Sequence, residues 1–170
     1  MLAGLAFARA PFAYAGSGGA LVRRWKLDGD PVAAATLGRA MAVAVAVDCL
    51  GPWRRALLVA VPLHAERRRQ RGFDQAEWLA RDLARRLRLE HLPRALRRTR
   101  PTLPQGDPRV LSRSRNVAGA FAAARVRDLA DRRVVLIDDV RTSGATAREC
   151  AQVLRAAGAS QVALLTACRS

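Results

Sequence analysis

The chain has 170 residues, and 30 Lys+Arg against 14 Asp+Glu give it a formal net charge of +16. That length holds one compact domain but not two independent cores, since 35 of the residues counted as hydrophobic are alanine. The 51% hydrophobic share in turn excludes a disordered, charged tail.

The charge is carried by arginine, with Lys26 as the single lysine. A compositional bias toward Arg and Ala is the simpler account of it, although such a surface also attracts polyphosphates and single-stranded DNA at low salt. Cys49, Cys150 and Cys168 form no CxxC pair, so no metal site and no disulfide framework is expected. Lone thiols fit a reducing, cytoplasmic setting. Ala13-Tyr14-Ala15 resembles a signal-peptidase site, but no basic residue precedes Leu2 to Ala8 and Arg9 interrupts its end. Ala40 to Val47 is too short to cross a bilayer, so no membrane partner is expected.

In chain order, Gly16-Ser17-Gly18-Gly19 and Asp28-Gly29-Asp30-Pro31 mark turns. Pro31 to about Cys49 reads as a helix with proline in its first turn, closed by Gly51-Pro52. Leu57-Leu58-Val59-Ala60-Val61 lacks alternation and fits a strand buried on both faces. Asp74 with Glu77 three residues on is a capping-box pattern, and Ala76, Leu79, Ala80, Leu83 and Leu87 keep helical spacing behind it. From Arg97 to Asn116 the chain is rich in Arg, Pro, Ser and Thr, which fits either a functional lid or disorder. Gly119 to Val126 is expected as a strand, as are Val134 to Ile137 and Val162 to Ala167. Between the last two lies a helix with Cys150, Val153, Leu154 and Ala157 on one face and Gly158 at its end. Short apolar strands alternating with helices predict an α/β fold, a mainly parallel central sheet flanked by helices.

The informative stretch is Val134-Val135-Leu136-Ile137-Asp138-Asp139-Val140-Arg141-Thr142-Ser143-Gly144-Ala145-Thr146. A buried strand ends in two carboxylates, and a loop of hydroxyls and one glycine opens a helix. Open α/β sheets bind ligands outside the carboxyl ends of their strands. Main-chain N–H groups from Thr142 to Thr146, backed by the helix dipole, make a phosphate cradle, and Gly144 lets the backbone come close. Asp138 and Asp139 would repel phosphate and suit hydroxyl donors instead. The whole reads as a ribose-5-phosphate grip; the alternative is an acid pair that caps a helix or holds Mg²⁺ without a sugar.

This segment resembles the phosphoribosyl-pyrophosphate (PRPP) motif of type I phosphoribosyltransferases. More narrowly, the chain is similar to the ComF family. That resemblance rests also on Val61-Pro62-Leu63-His64, Arg71-Gly72-Phe73-Asp74-Gln75, Arg98-Thr99, Pro101-Thr102, Gln105, Arg115-Asn116 and Gly119-Ala120-Phe121, with Tyr14, Lys26 and Gly29 as weaker matches. Such proteins commonly begin with a cysteine-rich zinc ribbon, a motif these residues do not carry, and usually have Asn where Asp74 stands.

The resemblance implies an N-terminal hood over residues 1–53 and a phosphoribosyltransferase-like core over 54–170. It gives Asp138 and Asp139 the ribose hydroxyls and the 5′-phosphate to Thr142, Ser143, Gly144, Ala145 and Thr146, with Val140 and Arg141 between them. Leu63, His64 and Arg67 fall in the pyrophosphate-side loop. Arg97, Arg98 and Thr99 lie in the lid, placed to assist departure of pyrophosphate. Mg²⁺ is expected to arrive on PRPP and not in a protein cage. Purine-salvage relatives carry a carboxylate where Thr142 stands; threonine is no general base at neutral pH, so the acceptor must already be nucleophilic or find its base elsewhere. The same fold without turnover, acting on a nucleotide or single-stranded DNA in competence, is the alternative, and homodimerisation is left open.

Overall fold

Every side chain of the run Leu57-Leu58-Val59-Ala60 is buried, yet the four do not share one core. Leu57 and Val59 join one apolar cluster, Leu58 and Ala60 another, because successive strand residues point to opposite faces. Val134 and Leu136 alternate in the same way with Val135 and Ile137, as do Val162 and Leu164 with Ala163 and Leu165. A sheet covered on both faces is the only arrangement that satisfies all three runs.

The computed structural model describes residues 2, 4–63, 69, 72–100, 102 and 113–170. Its elements are β1 (Ala8–Arg9), β2 (Phe12–Ala13), α1 (Ser17–Asp28), α2 (Pro31–Leu50), β3 (Leu57–Ala60), α3 (Gln75–Leu87) and β4 (Glu90–His91). There follow β5 (Leu96–Arg98), α4 (Arg113–Val117), β6 (Phe121–Ala123), α5 (Val126–Leu129), β7 (Arg133–Arg141), α6 (Ala145–Ala156) and β8 (Gln161–Arg169). The central sheet runs β1-β8-β7-β3-β4, with β2 also on β8, and every pairing in it is parallel. On one face lie α1, α2 and α3, supplying Val22, Trp25, Leu37, Met41, Leu79 and Leu83; the other face carries α6 with Cys150 and Leu154. The expected α/β architecture is the observed one. A small antiparallel pair, β5 with β6, stands apart from the sheet.

The boundary expected near residue 53 falls at the turn between α2 and β3, and residues on both sides of it enter the same cluster. Trp25 stacks near Trp78 and Phe73, and Phe7 meets Trp53 edge-on, so the tryptophans pack.

Three elements depart from expectation. The turn at Gly16–Gly19 is shorter, because Ser17, Gly18 and Gly19 already belong to α1. The lack of side chains at Gly18 and Gly19 is what lets the helix start there: a Cβ on Gly18 would lie 2.6 Å from Phe12 Cβ, and one on Gly19 would strike the Tyr14 carbonyl oxygen. The strand expected over Gly119–Val126 contracts to Phe121–Ala123, since Val126 opens α5, where Arg125 Nε pairs with Asp128 Oδ2 at 2.7 Å. β7 is longer than its apolar run: ladder pairing with the equally long β8 continues through Asp138↔Thr166 and Val140↔Cys168 to Arg141↔Arg169. The two carboxylates therefore sit inside a paired strand.

Candidate functional site

All sheet strands point their carboxyl ends the same way, and there β7, the segment after β3, and the starts of α3 and α6 enclose a cleft of about 240 Å³. Asp138, Asp139, Val140, Thr142, Thr146 and Leu63 line it, together with Lys26, Asp74, Gln75 and Arg98.

The helix starts around this cleft are finished differently. Asp30 caps α2 by accepting from Val32 N at 2.8 Å, and Asp74 caps α3 by accepting from Glu77 N at 3.2 Å. The latter is the half of the expected capping box that the structure contains. At α6 the N-cap is Gly144, at φ +74°, which brings no capping side chain of its own. The dipole of such a helix N-terminus favours an anion, although its first amide, Ala145 N, is engaged within the loop. Ser143 Oγ turns back to accept from Ala145 N at 3.3 Å, while Arg148 donates to the Ser143 carbonyl at 3.1 Å, which fixes the loop. Gly144 and Ala145 are buried, and a Cβ on Gly144 would meet Leu2 at 2.8 Å. Arg141 is elsewhere: it lines a separate hollow with Leu2, Phe7 and Arg9.

Asp138 and Asp139 are half-buried. Burial drives the Asp138 carboxyl up to about 8, and the charge of Asp139 adds to the rise. The Asp139 N–H, donating to Asp138 Oδ1 at 2.8 Å, and the Lys26 ammonium pull the other way. Lys26 Nζ pairs directly with Asp139 Oδ2. Asp74 is likewise raised, chiefly by burial, although its Oδ2 accepts from Leu63 N at 3.2 Å. One oxygen thus starts a helix while the other ties down the segment after β3.

Of the lid residues, Arg98 reaches the cleft, donates to Thr102 Oγ1 and lies over the Phe121 ring with 5.4 Å to its centroid. Arg97 and Thr99, its neighbours on either side, are exposed and do not line the cleft; Thr99 Oγ1 donates to the Gly119 carbonyl at 3.3 Å. His64 and Arg67 lie outside the described residues, as does most of the 97–116 stretch. In the sequence Lys26 is only a weak family match and Asp74 only a helix cap; in the structure both line the cleft. A single lysine in an arginine chain was the available signal for the first.

Chemically, the arrangement offers donors for an anion at one end and, at the other, acceptors for hydroxyls held on a buried acid pair. It sits at the carboxyl edge of a parallel sheet, where α/β domains bind their ligands. No known family profile matches the chain. It is 36% identical over 113 residues to the DNA utilization protein YhgH of Escherichia coli (strain K12), covering 66% of this chain and 49% of that protein. To competence protein F of Haemophilus influenzae it is 33% identical over 106 residues, covering 62% and 46%. The chain is thus similar to ComF-type competence and DNA utilization proteins over about two thirds of its own length. It spans about half the length of the curated relatives it matches. Among solved structures it is similar to the allosteric regulatory enzyme of purine biosynthesis, with 20% identity, TM-score 0.47 and coverage of 75% of this chain and 25% of that one. No described helix is long and apolar enough to cross a membrane.

Proposed function

We propose that the cleft binds PRPP and transfers its phosphoribosyl group to an acceptor. The observation that carries this reading is that a strand-borne acid pair, Asp138 and Asp139, lines one cleft with Thr142 and Thr146 at the start of α6. The 5′-phosphate takes the amides of the Thr142–Thr146 turn, and the ribose hydroxyls donate to Asp138 and Asp139. In the transfer, the bond from the anomeric carbon to the pyrophosphate oxygen breaks, pyrophosphate leaves with the electron pair, and an acceptor atom bonds to the opposite face. Arg98, which lines the cleft with Thr102, is placed to take up charge developing on the leaving group.

Mg²⁺ suits the oxygen donors Asp74, Asp138 and Asp139 that share the cleft, but Asp139 is already engaged by Lys26 and the described residues bring no three ligands together. Mg²⁺ would be carried on the pyrophosphate oxygens of PRPP, whose charge it would offset. Isothermal titration with PRPP and Mg²⁺ tests the reading. Saturable heat that disappears in Asp138→Ala/Asp139→Ala is expected; no heat with the intact chain overturns it.

A second reading, a module that handles single-stranded DNA, is favoured by the +16 charge and by relatives named for competence and DNA utilization. It needs no turnover, and it leaves the acid pair as a sensor of sugar phosphates.

A further inference from the structure

Of the 30 Lys and Arg side chains all but one are arginine, and the exception, Lys26, lines the cleft. It stands in the last turn of α1, its side chain 22% exposed, and its ammonium is paired with Asp139, whose side chain is 15% exposed. The preceding residue fixes the side from which it reaches in. Trp25 is buried and packs at the start of α3, with ring centroids 5.9 Å from Phe73 and 5.4 Å from Trp78. Lys26 therefore enters from the face of the sheet that carries α1 and α3, the face on which Asp74 holds the Leu63 amide. The Thr142–Thr146 turn opens α6 on the other face, where Ala145 joins the opposite apolar cluster.

The pairing sets a condition on any sugar that binds. Hydroxyls that donate to Asp139 take oxygens that Lys26 holds, and a half-buried ammonium left without an anion is costly. Lysine suits a partner that has to be given up. Its ammonium is a compact point charge on a flexible stem, whereas a guanidinium grips a carboxylate through two parallel bonds. The replacement anion must come with the ligand. A 5′-phosphate on the Thr142–Thr146 turn lies toward the opposite face, so the anion that reaches Lys26 is one carried at the anomeric end of the sugar, beside the segment after β3.

We propose that Lys26 selects a ribose phosphorylated at both ends over one phosphorylated only at its 5′ end: the sugar hydroxyls displace its ammonium from Asp139, and the ammonium moves onto the pyrophosphate group. This rests on the PRPP reading above and adds to it the residue that tells PRPP from ribose 5-phosphate. Lys26 makes and breaks no covalent bond. It exchanges one anion for another, and ribose 5-phosphate gives it none to take.

The test is isothermal titration of the full chain with PRPP and Mg²⁺ and, separately, with ribose 5-phosphate. Lys26→Met is expected to weaken PRPP binding about tenfold or more while ribose 5-phosphate changes by less than about threefold, because only PRPP offers the second anion. Lys26→Arg keeps the charge but is expected to weaken both ligands by about threefold or more, since the guanidinium fork stays on Asp139. Equal losses for the two ligands in Lys26→Met, or wild-type affinities in Lys26→Arg, overturn the role of Lys26 and leave the PRPP reading standing. A second measurement needs no variant. With one lysine in the chain, lysine labelled with carbon-13 at Cε gives a single side-chain NMR signal. It should move on saturation with PRPP and Mg²⁺; an unmoved signal overturns the displacement. Absence of PRPP binding by the intact chain overturns the reading of the cleft itself, and the role of Lys26 with it.

Discussion

The ammonium of Lys26, in the last turn of α1, is paired with the carboxylate of Asp139 on β7 and so brings the N-terminal helices to the floor of the cleft. The contact leaves Asp138 as the member of the acid pair that absorbs the cost of burial. In the proposed complex, ribose hydroxyls would compete with Lys26 for the oxygens of Asp139. Replacing Lys26 by Met removes a positive charge that lowers the Asp138 pKa, so its titration midpoint is expected to rise above about 8. Carboxyl-carbon NMR titration reads this directly, and an unmoved midpoint would show that the pairing does not act on the acid pair.

Stability should depend on pH through Asp138. The folded state holds its proton up to about pH 8, whereas the unfolded carboxyl titrates near the usual 3.8. Between these values the folded chain binds the extra proton, so stability is complete in acid, falls as pH rises through that window, and levels off above it. With the residue half-buried, the loss is on the order of 1–3 kcal/mol. Asp138→Asn should flatten the profile; urea denaturation at about pH 5 and about pH 8 measures it, and a wild-type curve without slope refutes the assignment.

Asp74 serves two amides, Glu77 N and Leu63 N, from its two oxygens. Asp74→Asn keeps one acceptor for the cap but turns an amide donor toward Leu63 N, while relieving the buried charge. The two effects oppose, and the change should stay within about 1 kcal/mol. Asp74→Ala loses both bonds and should cost about 1–2 kcal/mol or slightly more by chemical denaturation. Equal stability of the two variants would mean that neither bond matters.

At the start of α1 the relevant quantity is space. A methyl group on Gly19 strikes backbone oxygen and cannot be accommodated by a rotamer change. Gly19→Ala should cost about 2–3 kcal/mol despite the better helix propensity of alanine. A neutral or stabilising outcome in thermal or urea unfolding would contradict the packing of α1 on β2.

What the sequence disclosed follows from where its signals are local. The runs around Leu57 and Val134 needed only apolar continuity, and the capped start of α3 needed only Asp74 and Glu77 at their spacing. The order of Asp138-Asp139 and the Thr142–Thr146 turn located the cleft because strand, acid pair and helix start are consecutive. β1, β2 and β4 have two residues each, too few for any period, and exist because neighbouring strands offer them ladder partners. Lys26 enters the cleft by tertiary packing of α1, and the separation of Arg98 from Arg97 follows from the pleat of β5. Neither has a local pattern to announce it.

The common direction of the strands has one more consequence. From Arg133, at the strand-start edge of the sheet, to Asp139 in the acidic cleft β7 spans about 20 Å at roughly 3.3 Å per residue. Ions in physiological solution damp charge–charge forces within about 8 Å. Two ligands seated at these opposite poles would scarcely sense each other through water, so any reciprocity between them would have to travel mechanically, along the rigid ribbon they share.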